Sequence, residues 1–281
     1  MCTTFKYCDC LAKSANMIGA LFSLLVFANQ NISPACAVTG GEPVKPHEFP
    51  FLATFYWRKS GKEEWGAGGA LISPRHVVTM KHGFVDHAKK NDPIEVGLGK
   101  TVRAHDEGVV KRQVSHWVFH PTIDLAIAIL NEDVPLSEHI KTIGLPDVGD
   151  NFEGQNATLA GAGSLGDNIP SPPRSSHNPE DYLRKVTLKV GSEPGQRCPD
   201  ERHLCATSLR KDPWGSGCAG DSGSPLFFCS SVDSCIVLAV ITGGAPYMTQ
   251  GNCLGDSWGP SMAALRPWID EVVKVSVFSK T

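Results

Sequence analysis

Short apolar runs separated by glycine, proline and aspartate dominate the chain beyond residue 37. The clearest runs are Phe49–Trp57, Gly69–Thr79, Asp124–Leu130, Ala157–Ala162, Val186–Val190 and Ile236–Ile241. Their lengths are typical of β-strands, and the regular turn signals between them favour an all-β sandwich or barrel. The segment 262–277 differs, because its apolar residues recur at helical spacing and Pro267 suits a first turn. The pattern therefore predicts strands followed by one C-terminal helix.

The first 37 residues have the pattern of a secretory signal peptide. Lys6 and Lys13 precede an apolar run from Met17 to Ala28, and the segment closes with Ala35-Cys36-Ala37. A positive region, a hydrophobic region and an A-x-A exit are thus present in order. We predict a signal peptide over residues 1–37 and export to the extracellular space or the periplasm. The alternatives are a disordered tail and a membrane tether, either uncleaved or held by a lipid on Cys36.

Composition and charge set the class of protein. The chain has 281 residues, 41% of them hydrophobic and 20% charged, which is enough for a sizeable core and unlike a disordered chain. The net charge of −3 and the lack of a basic run give no reason to expect nucleic-acid binding. A connection at 145–154 separates two halves of similar size, and the proline-containing segment 163–182 is predicted to be a long exposed loop.

The cysteines agree with export. Of ten cysteines, four lie in the first 37 residues, and the others are Cys198, Cys205, Cys218, Cys229, Cys235 and Cys253. An even number in an exported chain indicates a disulfide framework. The competing interpretation is a zinc site, but no paired C-x-x-C spacing supports it. We therefore expect disulfides, and neither a metal nor a cofactor.

The segment Gly220-Asp-Ser-Gly-Ser-Pro225 carries the clearest chemistry. A serine between glycines can present its hydroxyl to a substrate carbonyl, while the turn aims backbone N–H groups at the oxygen that becomes negative. Three partners precede it in a fixed order, namely Val38-Thr-Gly-Gly41, His82 after an apolar run, and Asp124 before another. Subtilisins and α/β-hydrolases order their histidine, acid and serine differently.

This set of motifs resembles the trypsin/chymotrypsin family of serine endopeptidases, over residues 38–273. The resemblance implies two packed six-stranded antiparallel β-barrels, at about 38–150 and 151–261, with a C-terminal helix at about 262–277. It also implies a secreted, monomeric serine endopeptidase that acts on protein or peptide substrates, is open to protein inhibitors and contacts no membrane after signal cleavage. The alternatives are a catalytically inactive homologue acting as a secreted binding module and, less favoured by the order and the β-rich pattern, a lipase or esterase.

The resemblance assigns a role to each motif residue. Ser222 would be the nucleophile, His82 its base, and Asp124 the buried acid that fixes the histidine tautomer. The backbone N–H groups of Gly220 and Ser222 would form the oxyanion hole. Asp221 would pair with the α-ammonium of Val38 once the preceding bond is cut. Since residue 37 also ends the signal exit, we expect signal peptidase itself to create that terminus, without a separate zymogen.

Other positions depart from the family pattern. By family position Cys198 pairs with Cys205 and Cys218 with Cys253, which leaves Cys229–Cys235 to close a short hairpin. The bridge that the family usually places beside its histidine is missing at both ends, at Ala67 and Gly83. Lys81 replaces a small residue and is expected to point to solvent. Ser224 replaces a glycine, as in glutamyl endopeptidases of the same fold, which are the second candidate subfamily.

The resemblance also outlines a primary specificity pocket. Ser216 would lie at its base, where trypsin-like enzymes carry an aspartate, and Gly244 and Gly259 would line its walls. Thr242-Gly243-Gly244 replaces the usual Ser-Trp-Gly edge. An uncharged, open slot favours an aromatic or large apolar side chain before the scissile bond. Asp256, expected near the rim, could instead attract a basic residue.

Overall fold

The chain folds mainly into antiparallel β-structure. The computed structural model describes residues 38, 41–59, 62–99, 108–161, 183–192, 198–209, 215–218, 220–231, 233–244, 247–249 and 252–278. All of them belong to one compact unit, residues 34–281. The signal peptide predicted at 1–37 and the loop predicted at 163–182 lie outside the described residues. Val38, the predicted first residue of the mature chain, is described.

Sixteen strands and two helices are present in the described part of the chain. The strands of the first half are β1 (Glu42–Pro43), β2 (Leu52–Lys59), β3 (Lys62–Ser73), β4 (His76–Thr79), β5 (Ile94–Leu98), β6 (Val110–Phe119) and β7 (Ala126–Leu130). Those of the second half are β8 (Asn156–Gly161), β9 (Arg184–Val190), β10 (His203–Ser208), β11 (Pro225–Ser231), β12 (Ser234–Val240), β13 (Gly243–Gly244), β14 (Tyr247–Thr249), β15 (Asn252–Leu254) and β16 (Ser257–Pro260). The helices are α1 (Val85–Lys90) and α2 (Met262–Phe278).

The first half forms a closed antiparallel barrel in the order β2-β3-β4-β7-β6-β5. Every residue of β4 and β7 is buried, which explains why these strands read as apolar runs rather than as alternating patterns. Aromatic rings fill the barrel, where Phe84 stacks on Trp117 at 4.4 Å and contacts Phe55 at 4.7 Å between ring centroids. Closure pairs the edges of every strand, so the ends of β4 and β7 are held rigidly.

The second half forms a sheet in the order β12-β11-β8-β9-β10-β16-β13, with β1 added to β9. The predicted second barrel is thus less regular than the first, since its described strands follow an open path. An isolated bridge between Ala239 of β12 and Ser261, directly after β16, connects the two sides of this sheet. The strands β14 and β15 pair only with each other. The predicted all-β class, with a closed barrel, a second sheet and a C-terminal helix, is confirmed.

Helix α2 packs Met262, Leu265 and Ile269 into the core. It begins at Met262, where the Ser261 side chain caps it by accepting a hydrogen bond from the Ala264 N–H at 3.3 Å. Pro267 therefore lies inside the helix rather than in its first turn. Within the described residues, the helices are too short or too polar to cross a bilayer.

Two disulfides are described in full, Cys198–Cys205 and Cys229–Cys235. Cys229 and Cys235 lie opposite each other in the β11–β12 hairpin. Cys218 is also disulfide-bonded. The side chain of Cys253 lies outside the described residues, so its pairing with Cys218 stays a prediction.

Candidate active site

His82 and Asp124 meet at the ends of two paired strands of the barrel. His82 follows β4 by three residues and Asp124 precedes β7 by two, and β4 and β7 pair with Thr79 opposite Ala126. His82 Nδ1 lies 2.6 Å from Asp124 Oδ2. The other carboxylate oxygen, Oδ1, accepts the backbone N–H groups of Lys81 and His82, each at 2.8 Å. Three contacts thus fix the carboxylate against the imidazole ring.

These contacts shift the pKa of both groups. The hydrogen bond to Asp124 raises the pKa of His82, which outweighs the opposing effect of partial burial. Burial alone would raise the pKa of Asp124, but the hydrogen bonds from His82 and from the two backbone N–H groups lower it. The aspartate is therefore ionised at neutral pH. It favours the tautomer that carries a proton on Nδ1, which leaves Nε2 as an acceptor.

Ser222 lies in a tight turn between two glycines in left-handed conformations, Gly220 at φ +89° and Gly223 at φ +81°. A side chain at Gly223 would be impossible for a second reason, since its Cβ would lie 2.3 Å from Thr79 Oγ1 and 2.4 Å from Gly68 O. The Gly68 N–H also donates to Ser222 O at 3.1 Å. These contacts place the turn against the segment that leads from β4 to His82, and Ser222 itself is partly exposed.

Three of the five backbone N–H groups of the turn 220–224 are paired and two are not. The N–H groups of Asp221, Gly223 and Ser224 donate to carbonyl oxygens at 2.7–2.9 Å. Those of Gly220 and Ser222 reach no acceptor in the described structure. Two free N–H donors in one partly exposed turn are suited to bind an oxygen atom of a ligand.

The Ser222 hydroxyl and His82 Nε2 come from facing segments but are not bonded to each other. Within the described part of the chain, neither atom takes part in a hydrogen bond. Catalytic hydrogen bonds of this kind are often long in a ligand-free protein and shorten in the complex with substrate. The structure thus joins two members of the expected triad directly and brings the third onto the facing turn.

Val38 and Asp221 form a second buried contact. Both residues are fully buried, and the Val38 backbone nitrogen lies 3.2 Å from Asp221 Oδ2. The same oxygen accepts the Cys218 N–H at 2.9 Å. Val38 has φ +52°, a left-handed conformation that is strained for a β-branched residue. The pair expected from the sequence is therefore in contact, directly beside the Ser222 turn.

At the expected specificity pocket, the strand register places Ser257, rather than Gly259, beside Gly244. Gly244 lies opposite Ser257, and Gly243 lies opposite Trp258. Gly259 is instead covered by backbone, because a Cβ there would lie 1.8 Å from Val240 O. Sequence reasoning missed Ser257, and the alternation of small residues along β16 was the available signal.

Ser257 and Ser216 form a buried pair of hydroxyl groups. Their Oγ atoms are 3.2 Å apart, and Ser257 Oγ also accepts the Gly217 N–H at 2.9 Å. Thr242, at the start of the adjoining edge, is fixed by donation of its N–H to Trp258 O at 3.0 Å. Asp256, which the resemblance placed near the pocket rim, is buried, with 2% exposure.

Lys81 does not point to solvent as expected. Its ammonium group donates to His120 O at 2.8 Å, at the start of the turn that carries Asp124. Among the described residues, no group of three or more histidine, cysteine, aspartate or glutamate side chains could hold a metal ion.

Comparisons with known proteins agree with this geometry. The family model described as Trypsin matches residues 38–269. A chymotrypsin from Phaedon cochleariae is 28% identical, over 69% of this chain and 70% of its own. The venom serine protease Bi-VSP from Bombus ignitus is 32% identical, over 67% and 56%, and mast cell protease 3 from Ovis aries is 29% identical, over 77% and 85%. With the match covering most of its length, the chain belongs to the trypsin family of serine endopeptidases.

Proposed function

We propose that this protein is a secreted endopeptidase that cleaves after aromatic or large apolar residues and uses His82, Asp124 and Ser222 as its catalytic triad. The observation that carries the proposal is the hydrogen bond between His82 Nδ1 and Asp124 Oδ2, 2.6 Å long, beside a serine turn with two free N–H groups. Nothing in the described site favours the inactive alternative, because all three side chains are present.

In the proposed reaction, His82 Nε2 removes the Ser222 hydroxyl proton as the oxygen attacks the scissile carbonyl carbon. The imidazolium that forms is stabilised by the Asp124 carboxylate, and its Nε2 proton then passes to the leaving amine. The C–N bond breaks and an acyl-enzyme ester remains on Ser222. Water, deprotonated by His82, attacks this ester and returns the serine to its starting form.

The two unpaired N–H groups would bind the carbonyl oxygen while it carries negative charge. Since Gly220 and Ser222 donate to no acceptor in the described structure, they need not break a hydrogen bond to do so. Each such donor contributes about 2.7–4 kcal/mol to transition-state stabilisation in related chemistry. Asp221 supports this arrangement, because its side chain accepts from Cys218 and from Val38 on either side of the turn.

Cleavage before Val38 would complete that support. In the intact chain the Val38 nitrogen is a peptide N–H, whereas cleavage would make it an ammonium group facing the Asp221 carboxylate. The cut also removes the bond that defines the strained φ angle of Val38. We propose that signal peptidase makes this cut during export, so that no separate activating protease is needed. N-terminal sequencing of the exported protein should begin at Val38, and a start at Asn29 or Gln30 would contradict this step.

The pocket chemistry supports the proposed preference. Its base and wall present the hydroxyl groups of Ser216 and Ser257, which are bonded to each other at 3.2 Å. A cationic substrate side chain would lose its hydration without gaining a charged partner from these two residues. An aromatic or large apolar side chain carries no such penalty. We propose further that the enzyme is monomeric and is inhibited by proteins that present such a residue.

The test is hydrolysis of peptides that differ only at the residue before the scissile bond. We expect kcat/KM to be highest for phenylalanine or leucine and far lower for arginine and glutamate. Ser222→Ala should abolish turnover, whereas the matched control Ser224→Ala should retain it, since that hydroxyl is buried two residues away. A preference for glutamate would favour the glutamyl endopeptidase alternative, and activity that survives Ser222→Ala would refute the triad.

A further inference from the structure

Lys81 binds the segment that carries Asp124 in two places. Its backbone N–H donates to Asp124 Oδ1 at 2.8 Å. Its side chain extends along the same segment, where Nζ donates to His120 O at 2.8 Å and approaches Pro121 O at 3.5 Å. The next residue in the chain is His82, so one lysine links the histidine segment to the aspartate segment.

The segment that Lys81 binds is a compact turn. The His120 N–H donates to Leu125 O at 2.9 Å, and the Ile123 N–H donates to His120 Nδ1 at 3.0 Å. The His120 ring also packs edge-on against Trp268 of helix α2, with 4.9 Å between centroids. The turn is therefore fixed at His120, its first residue, and the Lys81 ammonium binds the carbonyl oxygen of that residue.

We propose that Lys81 is a positioning residue, whose ammonium group holds the 120–124 turn so that Asp124 stays in register with His82. This inference rests on the proposed function, because positioning matters only if the pair is catalytic. Displacement of a catalytic group by about 1 Å can lower the rate by about 100-fold. A lysine clamp of this length would restrict such movement without touching the substrate.

The charge of Lys81 acts on His120 rather than on His82. Burial lowers the pKa of His120, and the positive charges of Lys81 and Arg202 lower it further. The pKa of His82 responds instead to Asp124 and to burial. The neutral His120 ring keeps Nδ1 as an acceptor for Ile123, so the lysine also favours the folded form of the turn. Its effect on His82 is therefore transmitted through the position of Asp124.

Three variants of the full protein test this inference. Lys81→Met keeps the length of the side chain but removes the donors, and Lys81→Arg restores them. Lys89→Met is the matched control, because the Lys89 side chain is 71% exposed and, among the described residues, pairs only with Asp86 one helical turn away. For each variant we would measure kcat, KM, the melting temperature, and the pKa of His82 by NMR.

We expect Lys81→Met to lower kcat at least tenfold with little change in KM. The pKa of His82 should fall, because Asp124 raises it only while the two stay in contact. Lys81→Arg should restore most of the kcat and most of the His82 pKa, and Lys89→Met should match the wild type in both. An unchanged kcat and His82 pKa in Lys81→Met, or equal impairment of Lys81→Met and Lys81→Arg, would overturn the inference. If the wild type failed to hydrolyse peptides, the proposed function would fall, whereas the NMR titration would still decide the role of Lys81.

Discussion

Ser224 should be a position where removal of a hydroxyl group stabilises the protein. The residue is fully buried, and its Oγ has no hydrogen-bond partner in the structure. It faces the backbone of Gly68 and Gly161, where added Cβ atoms would lie 2.3 Å and 2.4 Å away. A buried, unpaired hydroxyl costs about 1–3 kcal/mol. After the small loss of packing, we expect Ser224→Ala to raise the free energy of unfolding by about 1 kcal/mol, or about 2–4 °C in melting temperature.

Ser257 is the matched comparison, because its replacement by alanine should destabilise the protein. It is 1% exposed, and its Oγ accepts the Gly217 N–H at 2.9 Å and contacts Ser216 Oγ at 3.2 Å. Ser257→Ala leaves the Gly217 N–H without its partner, whereas Ser216 Oγ keeps its hydrogen bond to Gly217 O at 3.1 Å. We therefore expect it to lower the free energy of unfolding by about 1–3 kcal/mol.

The assay is thermal and urea unfolding of both variants in a Ser222→Ala background, which prevents self-digestion. We expect the free energy of unfolding to rise for Ser224→Ala and to fall for Ser257→Ala, although the two serines are almost equally buried. If Ser224→Ala were destabilised as much as Ser257→Ala, the Ser224 hydroxyl would have a partner, such as a buried water molecule, and the reasoning would be refuted.

Three further predictions concern charge and pH. Asp124→Asn should lower kcat by about 10⁴-fold, as loss of the correct histidine tautomer does in triad enzymes, and a loss below tenfold would contradict the orienting role. Since Asp124 raises the pKa of His82, the acid limb of kcat/KM should lie above pH 6.5, and a midpoint below that value would contradict the assignment. Burial lowers the pKa of His76, whose ring nitrogens bond to Ser73 and Ser276 at 2.5 and 2.6 Å. Because the unfolded chain binds this proton more readily, stability should be lost as pH falls below 6.5, and His76→Gln should flatten the fall in melting temperature between about pH 7 and pH 5.

The sequence predicted those features that depend on local pattern. Runs such as 126–130 became buried strands, and the spacing in 262–277 became helix α2. The contact between His82 and Asp124 was expected from the family resemblance, and the paired ends of β4 and β7 bring the two residues together. The ends of these strands can be located in the sequence, because each apolar run stops at a polar residue.

Features set by strand register and by side-chain reach could not be predicted. Ser257, rather than Gly259, lies beside Gly244 because of how β13 and β16 align, and the sequence does not determine that alignment. A lysine next to an active-site histidine is ordinarily solvated, and only the folded position of His120 O gives the Lys81 ammonium a partner. The open order of the described strands in the second sheet likewise depends on how distant strands meet.

The account depends most on Ser222 being the single activated nucleophile. The direct test is to treat the exported protein with a fluorophosphonate and to locate the adduct by mass spectrometry. We predict one adduct per chain, on Ser222, which His82→Ala prevents and Ser224→Ala does not. An adduct on another serine, or labelling of Ser222 that persists without His82, would contradict the proposed mechanism.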